Sequence, residues 1–316
     1  MLPFNMGLKG LENFSIPIQN ALTNDSYDGG SMTDISVTGL IDSARIKQLR
    51  QLHYTSIEED ASRRINALIG TAFHNLAEEH SPDDWITEER FYAEVNGKII
   101  SGQIDAVIPI PLKQAKKINP NVGEKPVMIR DYKVITAFKA QSGMKDYERQ
   151  GNLYSYLLQR NGFSPISFVI EAYIKDWKES FALRDENYPQ LPIQDYEYEL
   201  WSFDQSEEYI KKRLELHFPE DEFYIPKCSD EEMWSTDAKW EAKKKGHTKA
   251  TKLFNSEREA LNWIADQDHR TTRGTTFEDW DIKQRPVERR RCEGNWCNVA
   301  EHCDQFAQYK ESLNGN

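Results

Sequence analysis

Residues 127–135, Val-Met-Ile-Arg-Asp-Tyr-Lys-Val-Ile, form an apolar run that contains an acid and a base two positions apart. In a β-strand, residues i and i+2 point to the same face, so Asp131 and Lys133 are predicted to lie side by side. A carboxylate and an ammonium in such a run are costly to desolvate unless each has a partner. An ordinary ion pair at a strand end meets this condition, and so does a carboxylate that binds a divalent cation. The stretch therefore predicts a core strand and leaves both uses of Asp131 open.

Length and charge limit the classes of protein that this chain can represent. Its 316 residues can bury a large core, as one domain or as a domain with an appended subdomain. A formal net charge of −12 argues against binding polyanions over the whole surface, although a local basic groove would still hold nucleic acid. No apolar run is long enough to cross a bilayer, and the first ten residues do not resemble a signal peptide. We therefore expect no membrane partner and a cytoplasmic location, in the host cell if the protein is viral.

Composition and periodicity divide the chain into three segments. Residues 1–34 are rich in Asn, Ser, Gly and Asp, and we expect them to be loosely ordered. Residues 35–220 follow the order helices, hairpin, strand, helix and strand, which predicts an α/β core with a mixed central sheet flanked by helices. Residues 221–316 carry their own strands, helix and cysteines, so a separate α+β subdomain is expected there.

Turn signals and apolar spacing predict the elements inside these segments. Asn96-Gly97 is a strong hairpin signal between strand-like runs at 86–95 and 98–108. In the second run, Ile100, Ile104 and Ile108 are expected on one face, and Gln103 and Asp105 on the other. The remaining predictions are helices within 41–80, at 145–161 and near 205–217, a loop at 109–126, a strand at 166–174, polar strands around Lys245-Gly246, a helix capped by Ser256 and Glu259, and a strand at 275–282.

Four polar side chains outside the 127–135 strand are candidates for a site. Asp105 could share one cation with Asp131, because two carboxylates with waters and a phosphate are a common Mg²⁺ shell, or it could merely precede a turn. His74 lies on the helix face of Gly70 and Glu78, where a histidine is more often a packing residue than a ligand. Gln150 and Tyr154, four residues apart, could present an amide and a phenol to one ligand or simply pack.

The order of these residues resembles a known motif series. Gly70-x-x-x-His74, Gly102-Gln-Ile-Asp105, Asp131-x-Lys133 and Gln150-x-x-x-Tyr154 are similar to the motifs of the PD-(D/E)XK nuclease superfamily, in its RecB-type and Cas4-like branch. The resemblance spans roughly residues 35–160. It implies a restriction-endonuclease-like core and a metal-dependent DNA nuclease, expected to be an exonuclease that hydrolyses phosphodiester bonds at DNA ends or in single strands during recombination, repair or end processing, as in phages.

The resemblance also implies roles for individual residues. Asp105 and Asp131 would bind Mg²⁺ or Mn²⁺ together with His74, and the backbone carbonyl of Val134 would complete the shell. Lys133 would position or help to deprotonate the attacking water and stabilise charge on the scissile phosphate. The remaining pair, Gln150 and Tyr154, would orient the DNA strand or an active-site loop.

Four cysteines form a second candidate site. Cys292, Cys297 and Cys303, with Cys228 earlier in the chain, supply enough thiolates for a [4Fe-4S] cluster or a tetrahedral zinc ion. The set resembles that of Cas4-like and AddB-type nucleases, but in those proteins the distant cysteine precedes the nuclease core, whereas Cys228 follows it. His302 could replace a thiolate in a zinc site.

Basic and aromatic residues in the C-terminal segment predict contact with DNA, although a solvated charged face is the usual alternative. The residues predicted to bind DNA are Lys243, Lys244, Lys245, Lys249, Arg289, Arg290 and Arg291. Four tryptophans nearby could stack on unpaired bases or pack in the subdomain, namely Trp234, Trp240, Trp280 and Trp296. We expect this segment to clamp DNA.

Two other functions stay open at the level of sequence. One is a catalytically inactive DNA-binding or assembly protein on a nuclease scaffold, and the other is an iron-sulfur sensor. A single-strand annealing or recombination protein is a further expected partner.

Overall fold

The computed structural model describes residues 7–23, 32–221, 223–270 and 277–314. The chain divides into two compact units, of which the first comprises Met1–Gln48 and Tyr54–Ile225 and the second Leu49–His53 and Pro226–Asn316. The helices that begin in the first unit are α1 Ile16–Thr23, α2 Val37–Ile41, α3 Ala44–Leu52, α4 Ile65–Glu79, α5 Leu112–Ile118, α6 Ala137–Gln141, α7 Lys145–Arg160, α8 Glu179–Ala182 and α9 Phe203–His217. Its strands are β1 Gly7–Lys9, β2 Ile35–Ser36, β3 Glu58–Asp60, β4 Ile86–Val95, β5 Lys98–Pro109, β6 Pro126–Ile135, β7 Ser164–Ile174 and β8 Ile193–Tyr198.

A mixed sheet organises the first unit. Strand β5 pairs antiparallel with β4 on one edge, and on its other edge with β2 near its start and with β6 near its end. Strand β6 then pairs in parallel with β7, and β7 pairs antiparallel with β8. Helices flank this sheet, as the α/β class predicted from the sequence requires. Strand β6 contains the whole apolar run from which the strand was predicted.

The main core lies between the sheet and helix α7. Every residue of α7 from Gln150 to Leu158 is buried, and its leucines pack with Ile104, Ile129 and Ile170 of the three central strands. Each such fully buried aliphatic side chain contributes about 1.5–3 kcal/mol to folding. The helix ends at Arg160, and Gly162 follows with the left-handed φ of 83° that a glycine adopts at little cost. This core fixes β6 against α7.

Three predictions about the first unit differ from the structure. Residues 7–23 of the supposedly loose segment form β1, a turn and α1, with Leu22 buried; residues 1–6 and 24–31 lie outside the described part. The helical stretch at 41–80 breaks between α3 and α4, where β3 pairs with β1 and a tight turn capped by Asp60 precedes α4. The loop predicted at 109–126 contains α5, which buries Ala115.

The second unit has a small antiparallel sheet of its own. Its strands are β9 Lys239–Lys244, β10 Lys252–Phe254 and β11 Trp280–Arg285, with β9 in the centre, and its helices are α10 Glu257–Arg270, α11 Arg290–Glu293 and α12 Asp304–Asn314. Ser256 caps α10 by accepting a hydrogen bond from the Glu259 amide, as predicted. The strand predicted at 275–282 runs from Trp280 to Arg285, and residues 275 and 276 lie outside the described part. The predicted boundary at residue 221 falls at Pro226, and Leu49–His53 joins this unit from far earlier in the chain.

None of the described helices is both long and apolar enough to cross a membrane.

Candidate metal centre and cysteine group

The candidate metal centre lies where β5 separates from β6. The last bridged pair between these strands is Ala106 with Arg130, so Asp105 and Asp131 occupy the next positions. Instead of a ladder hydrogen bond, the carboxylate of Asp105 accepts the Tyr132 amide, with 2.7 Å between Oδ2 and N. The two acids predicted from the sequence are therefore neighbours at a point where the sheet opens.

Strand β5 also rotates at this point. Ile104 packs in the main core, but Ala106 and Ile108 pack in a smaller cluster with Phe73 and Ala77 of α4. The sequence had placed Ile108 on the same face as Ile100 and Ile104, and that prediction is wrong. The alternation of β5 side chains between the two faces of the sheet is interrupted at Asp105, where the Asp105 carboxylate takes the place of a backbone hydrogen bond between β5 and β6. The rotation leaves Asp105 near α4, which carries His74.

His74 brings α4 to the acids. Its Nδ1 lies 3.5 Å from Oε1 of Glu88 and 3.6 Å from Oδ1 of Asp105, and the ligand atoms of these three side chains lie within 4.8 Å of one another. The other ring nitrogen, Nε2, lies 2.9 Å from the carbonyl oxygen of Tyr132. When Nε2 donates its hydrogen to that carbonyl, neutral His74 presents Nδ1 as a metal ligand. The structure thus brings one imidazole nitrogen and the oxygens of two carboxylates together in one place.

The charges of this group shift its protonation equilibria. Burial, and then the charge of Asp131, raise the pKa of Asp105 to about 7. For His74, burial opposes the imidazolium, but Glu88 and Asp105 outweigh burial and raise its pKa. The pKa of Asp105 is thus raised by burial and by a neighbouring acid, and the pKa of His74 is raised by the two acids that face it.

Asp131 carries the least satisfied carboxylate of the site. The residue is fully buried, and neither side-chain oxygen accepts a hydrogen bond of good geometry from the described residues. The ammonium of Lys133 lies 2.5 Å from Oδ2 as an ion pair, which confirms that the two side chains share a face. Buried carboxylate oxygens nearly always have partners. An oxygen without a donor, Oδ1, on a carboxylate whose charge acts on the neighbouring Asp105, fits a site for a divalent cation.

Lys133 remains charged in this environment. Burial favours the neutral amine, but the charges of Asp131 and Asp105 outweigh burial and raise the pKa of Lys133 above its ordinary value. Its Nζ also lies 5.3 Å from the centre of the Tyr147 ring. The side chain can therefore donate hydrogen bonds and stabilise negative charge at neutral pH.

Sequence reasoning missed Glu88. Thr87 pairs with Ala106 and Glu89 with Ile104, so Glu88 lies opposite Asp105 in the register of the hairpin. The Asn96-Gly97 turn already determines that register, and counting back from it would have found Glu88. Its φ of 50° is unusual for a residue other than glycine, and such backbone strain clusters at functional sites.

Glu88 is also held from outside the cluster. The amide of Gln103 donates to Oε2 of Glu88 over 2.8 Å, and the guanidinium of Arg90 donates to Oε1 of Gln103 over 2.9 Å. These bonds leave Oε1 of Glu88 directed to His74. Gln103 follows Gly102 of the motif series, and that series gives Gln103 no role.

Gln150 and Tyr154 lie inside the first unit. The amide of Gln150 donates to the Tyr154 hydroxyl over 2.6 Å, and both residues are buried. The Tyr154 ring packs where a Cβ on Gly102 would lie 2.7 Å away, so only glycine fits at that position. Val134 pairs with Tyr173 in β7, and its predicted role as a carbonyl ligand stays a prediction.

The four cysteines lie in one neighbourhood of the second unit. Burial, and then the charges of Cys297, Cys228 and Cys303, raise the pKa of Cys292 to about 11. Two hydrogen bonds connect Gln305 to the distant Cys228. The Oε1 of Gln305 accepts a hydrogen bond from the Cys228 amide over 2.8 Å, and its Nε2 donates to the Cys228 carbonyl over 2.9 Å. Raised thiol pKa values favour protonated sulfur until a metal displaces the proton.

The segment Leu49–His53 contributes two side chains beside the cysteines. The His53 and His302 rings stack with 4.3 Å between centroids, and the Arg50 guanidinium donates to Oδ1 of Asn298 over 3.3 Å. The sequence offered no signal for this arrangement, since the segment precedes the cysteines by more than 170 residues.

The residues predicted to bind DNA fall into two groups. Lys243 and Lys244 lie in β9 and are half-buried, while Lys245 and Lys249 follow the strand and are exposed. Among the arginines, Arg289 packs 4.5 Å from the Tyr309 ring and Arg291 donates to the carbonyl of Glu232 over 3.3 Å. Arg290 is exposed, with its Nε 3.4 Å from Oε2 of Glu288.

Comparison with known proteins identifies no family for this chain. No family model and no curated protein matches the chain. Seven chains of solved structures match it, and one of them is "Crystal structure of SSO0001". That chain is 16% identical, with 63% of this chain and 84% of that chain covered and a TM-score of 0.41. A likeness at this level carries no argument about function.

Proposed function

We propose that this protein is a divalent-metal-dependent nuclease that hydrolyses phosphodiester bonds of DNA, at ends or in single strands. One observation carries the proposal: Oδ1 of the buried Asp131 carboxylate has no hydrogen-bond donor among the described residues, its Oδ2 pairs with the Lys133 ammonium, and Asp105 of the His74, Glu88 and Asp105 group lies at the next position of the neighbouring strand. The four sequence motifs supply the choice of a nuclease. A role in recombination or end processing, in the cytoplasm and with a partner recombination protein, rests on that resemblance alone.

His74, Glu88, Asp105 and Asp131 would hold Mg²⁺ or Mn²⁺. When bound, the cation supplies an activated water at neutral pH and offsets the charge of the scissile phosphate. The carboxylate of Asp105 loses its proton when the site is filled, and the Tyr132 amide keeps that carboxylate oriented.

Lys133 acts on the substrate through its charge. In the metal-free site the charges of Asp131 and Asp105 raise its pKa and favour the ammonium form. We propose that this ammonium positions the attacking water, or helps to deprotonate it, and stabilises charge on the scissile phosphate.

We also propose that the four cysteines hold an iron-sulfur cluster. The other three thiols contribute to the raised pKa of Cys292, so the four side chains lie close enough together to bind one group, and four thiolates are the usual ligands of a [4Fe-4S] cluster. The sequence pattern of the cysteines supplies the choice of a cluster over a tetrahedral zinc ion.

The test of the nuclease proposal uses labelled DNA. Single-stranded, blunt and overhanging oligonucleotides are incubated with the protein in Mg²⁺, in Mn²⁺ and without added metal. We expect cleavage only with metal, and we expect Lys133→Gln to lower its rate by about 100- to 1000-fold. Lys139→Gln is the matched control, because the Lys139 ammonium also lies near the Tyr147 ring, at 4.9 Å. No cleavage of any substrate by the unaltered protein would reject the proposal.

A further inference from the structure

The structure separates the four tryptophans that the sequence proposed for base stacking into two pairs. Trp240 and Trp280 pack against the core formed by Ala242, Phe254, Ala260 and Ile264. Trp234 and Trp296 are exposed by 48% and 69%, with their ring centroids 6.2 Å apart. Tryptophan is usually well buried, so two adjacent exposed indoles form an unusual surface.

The exposed pair is held in a fixed arrangement. Trp234 has a φ of 53° and Asn295 a φ of 57°, both in the left-handed region that side chains rarely adopt. A Cβ on Gly294 would lie 2.8 Å from Cδ1 of Trp296, so the ring lies against bare backbone. The amide of Arg291 donates to the Met233 carbonyl over 3.1 Å and ties the two loops together. Rigid aromatic side chains lose little entropy when they bind a flat partner.

The charge around the pair suits an anion. The Arg291 guanidinium lies 5.6 Å from the centre of the Trp234 ring, and Arg290 is exposed in the same short helix. Two acids of that segment have partners: Glu288 is shared by Arg285 at 2.9 Å and by Arg290 at 3.4 Å, and Glu293 accepts a hydrogen bond from the Tyr309 hydroxyl at 2.5 Å. Aromatic faces beside arginines are how proteins hold single-stranded nucleic acids without reading their sequence.

We infer that Trp234 and Trp296 form a stacking platform for unpaired bases of single-stranded DNA, with Arg290 contacting its backbone. The choice of DNA rests on the proposed nuclease function; the choice of unpaired bases rests on the exposed rings. Bases in a duplex are stacked on one another and do not offer their faces, so the platform selects single strands or frayed ends.

The experiment compares two labelled 20-residue oligonucleotides, dT20 and an abasic strand of the same length, by fluorescence anisotropy without added divalent cation. Both carry the phosphates, but only dT20 can stack. We expect Trp296→Ala and Trp234→Ala each to weaken dT20 binding by about 5- to 100-fold and to leave abasic binding unchanged. Trp296→Phe keeps an aromatic face and should retain most of the affinity. Leu253→Ala, which removes an exposed apolar side chain from the same unit, is the control and should bind both strands normally.

Arg290→Gln provides the complementary result. This substitution should weaken binding of dT20 and of the abasic strand by the same factor. It should also lower the slope of log affinity against log salt concentration by about 0.7, since one phosphate contact is lost. The tryptophan variants should keep the slope of the unaltered protein.

Three results would overturn the inference. In the first, Trp296→Ala and the unaltered protein bind dT20 with equal affinity. In the second, the tryptophan variants lose the same factor of affinity for dT20 and for the abasic strand. In the third, the tryptophan variants change their oligomeric state at unchanged DNA affinity, which would assign the rings to a protein interface. Binding is measured without catalysis, so a protein that stacks dT20 but never cleaves would reject only the nuclease proposal. A protein that cleaves while its tryptophan variants bind normally would reject only the platform.

Discussion

Glu88 is a residue whose importance only its cross-strand position reveals. Its carboxylate faces His74 beside Asp105, so it should carry part of the metal affinity. We expect Glu88→Gln to weaken Mn²⁺ binding by about 10-fold or more in isothermal titration calorimetry. Glu89→Gln is the matched control, since Glu89 is the adjacent acid, is exposed and lies opposite Ile104. Equal affinities for the two variants would remove Glu88 from the site.

The pKa of Asp105, about 7, predicts how pH acts on the metal centre. A cation must displace the proton, so Mn²⁺ affinity should fall by about tenfold per pH unit well below 7 and level off above it. Stability without metal should change in the opposite sense. A carboxyl whose folded pKa is raised stabilises the protein at low pH and loses that contribution as pH rises through about 7. The melting temperature of the metal-free protein should therefore decline between about pH 4 and about pH 7 and level off above pH 7, and Asp105→Asn should flatten the decline.

The pair on one strand was predictable from its spacing, and the motif order pointed to Asp105 and His74, but two residues that depend on tertiary contacts were not predicted. The spacing of Asp131 and Lys133 was enough to place them on one face. Glu88 required the register of a hairpin, and Gln305 required the approach of α12 to Cys228. A sequence shows neither of these tertiary contacts directly.

At the scale of elements, two glycines on helices, Gly151 of α7 and Gly70 of α4, make a matched test. A Cβ on Gly151 would lie 2.1 Å from the Phe168 ring, so α7 can approach β7 only with glycine there. A Cβ on Gly70 meets nothing within 4 Å. We expect Gly151→Ala to lower the free energy of unfolding by about 1–3 kcal/mol in urea titrations. Gly70→Ala should instead raise it by up to about 1 kcal/mol, through helix propensity. Similar values for both variants would contradict this packing.

The elements with the clearest local signals were the ones that sequence predicted well. Asn96-Gly97 adopts the positive φ values that a two-residue turn requires, and α7 begins and ends within a residue of its prediction. The predictions failed where tertiary contacts decided the structure. Helix α5 has one buried anchor, Ala115, and the stretch between α3 and α4 contains β3, which pairs with β1. The rotation of β5 arises from the Asp105 side chain and has no periodic signal.

At the scale of the whole molecule, the second unit should depend on its cysteine group. Gln305 holds the distant Cys228 through two hydrogen bonds, so Gln305→Ala should lower the iron content measured on the purified protein from about four atoms per chain. Gln308→Ala, an exposed glutamine in the same helix, should leave it unchanged. Stoichiometric zinc in both variants, with no visible absorption, would contradict the cluster.

The division into two units was predictable from composition, but its boundary was not. Cysteines and basic residues mark the C-terminal segment, whereas Leu49–His53 joins it through side chains such as His53, which stacks on His302. The class of the fold follows from the alternation of helices and strands, while the metal centre depends on where two strands separate.

Cleavage by Asp131→Asn tests the central claim most directly, because the substitution removes one charge and keeps the shape of the side chain. The rate on labelled DNA with Mg²⁺ or Mn²⁺ is compared for the unaltered protein, Asp131→Asn and the control Asp146→Asn, which alters an exposed acid of α7. We expect Asp131→Asn to lose at least about 100-fold in rate while its circular dichroism spectrum is unchanged, and Asp146→Asn to remain active. Full activity of a folded Asp131→Asn protein would contradict a cation-dependent reaction at this site.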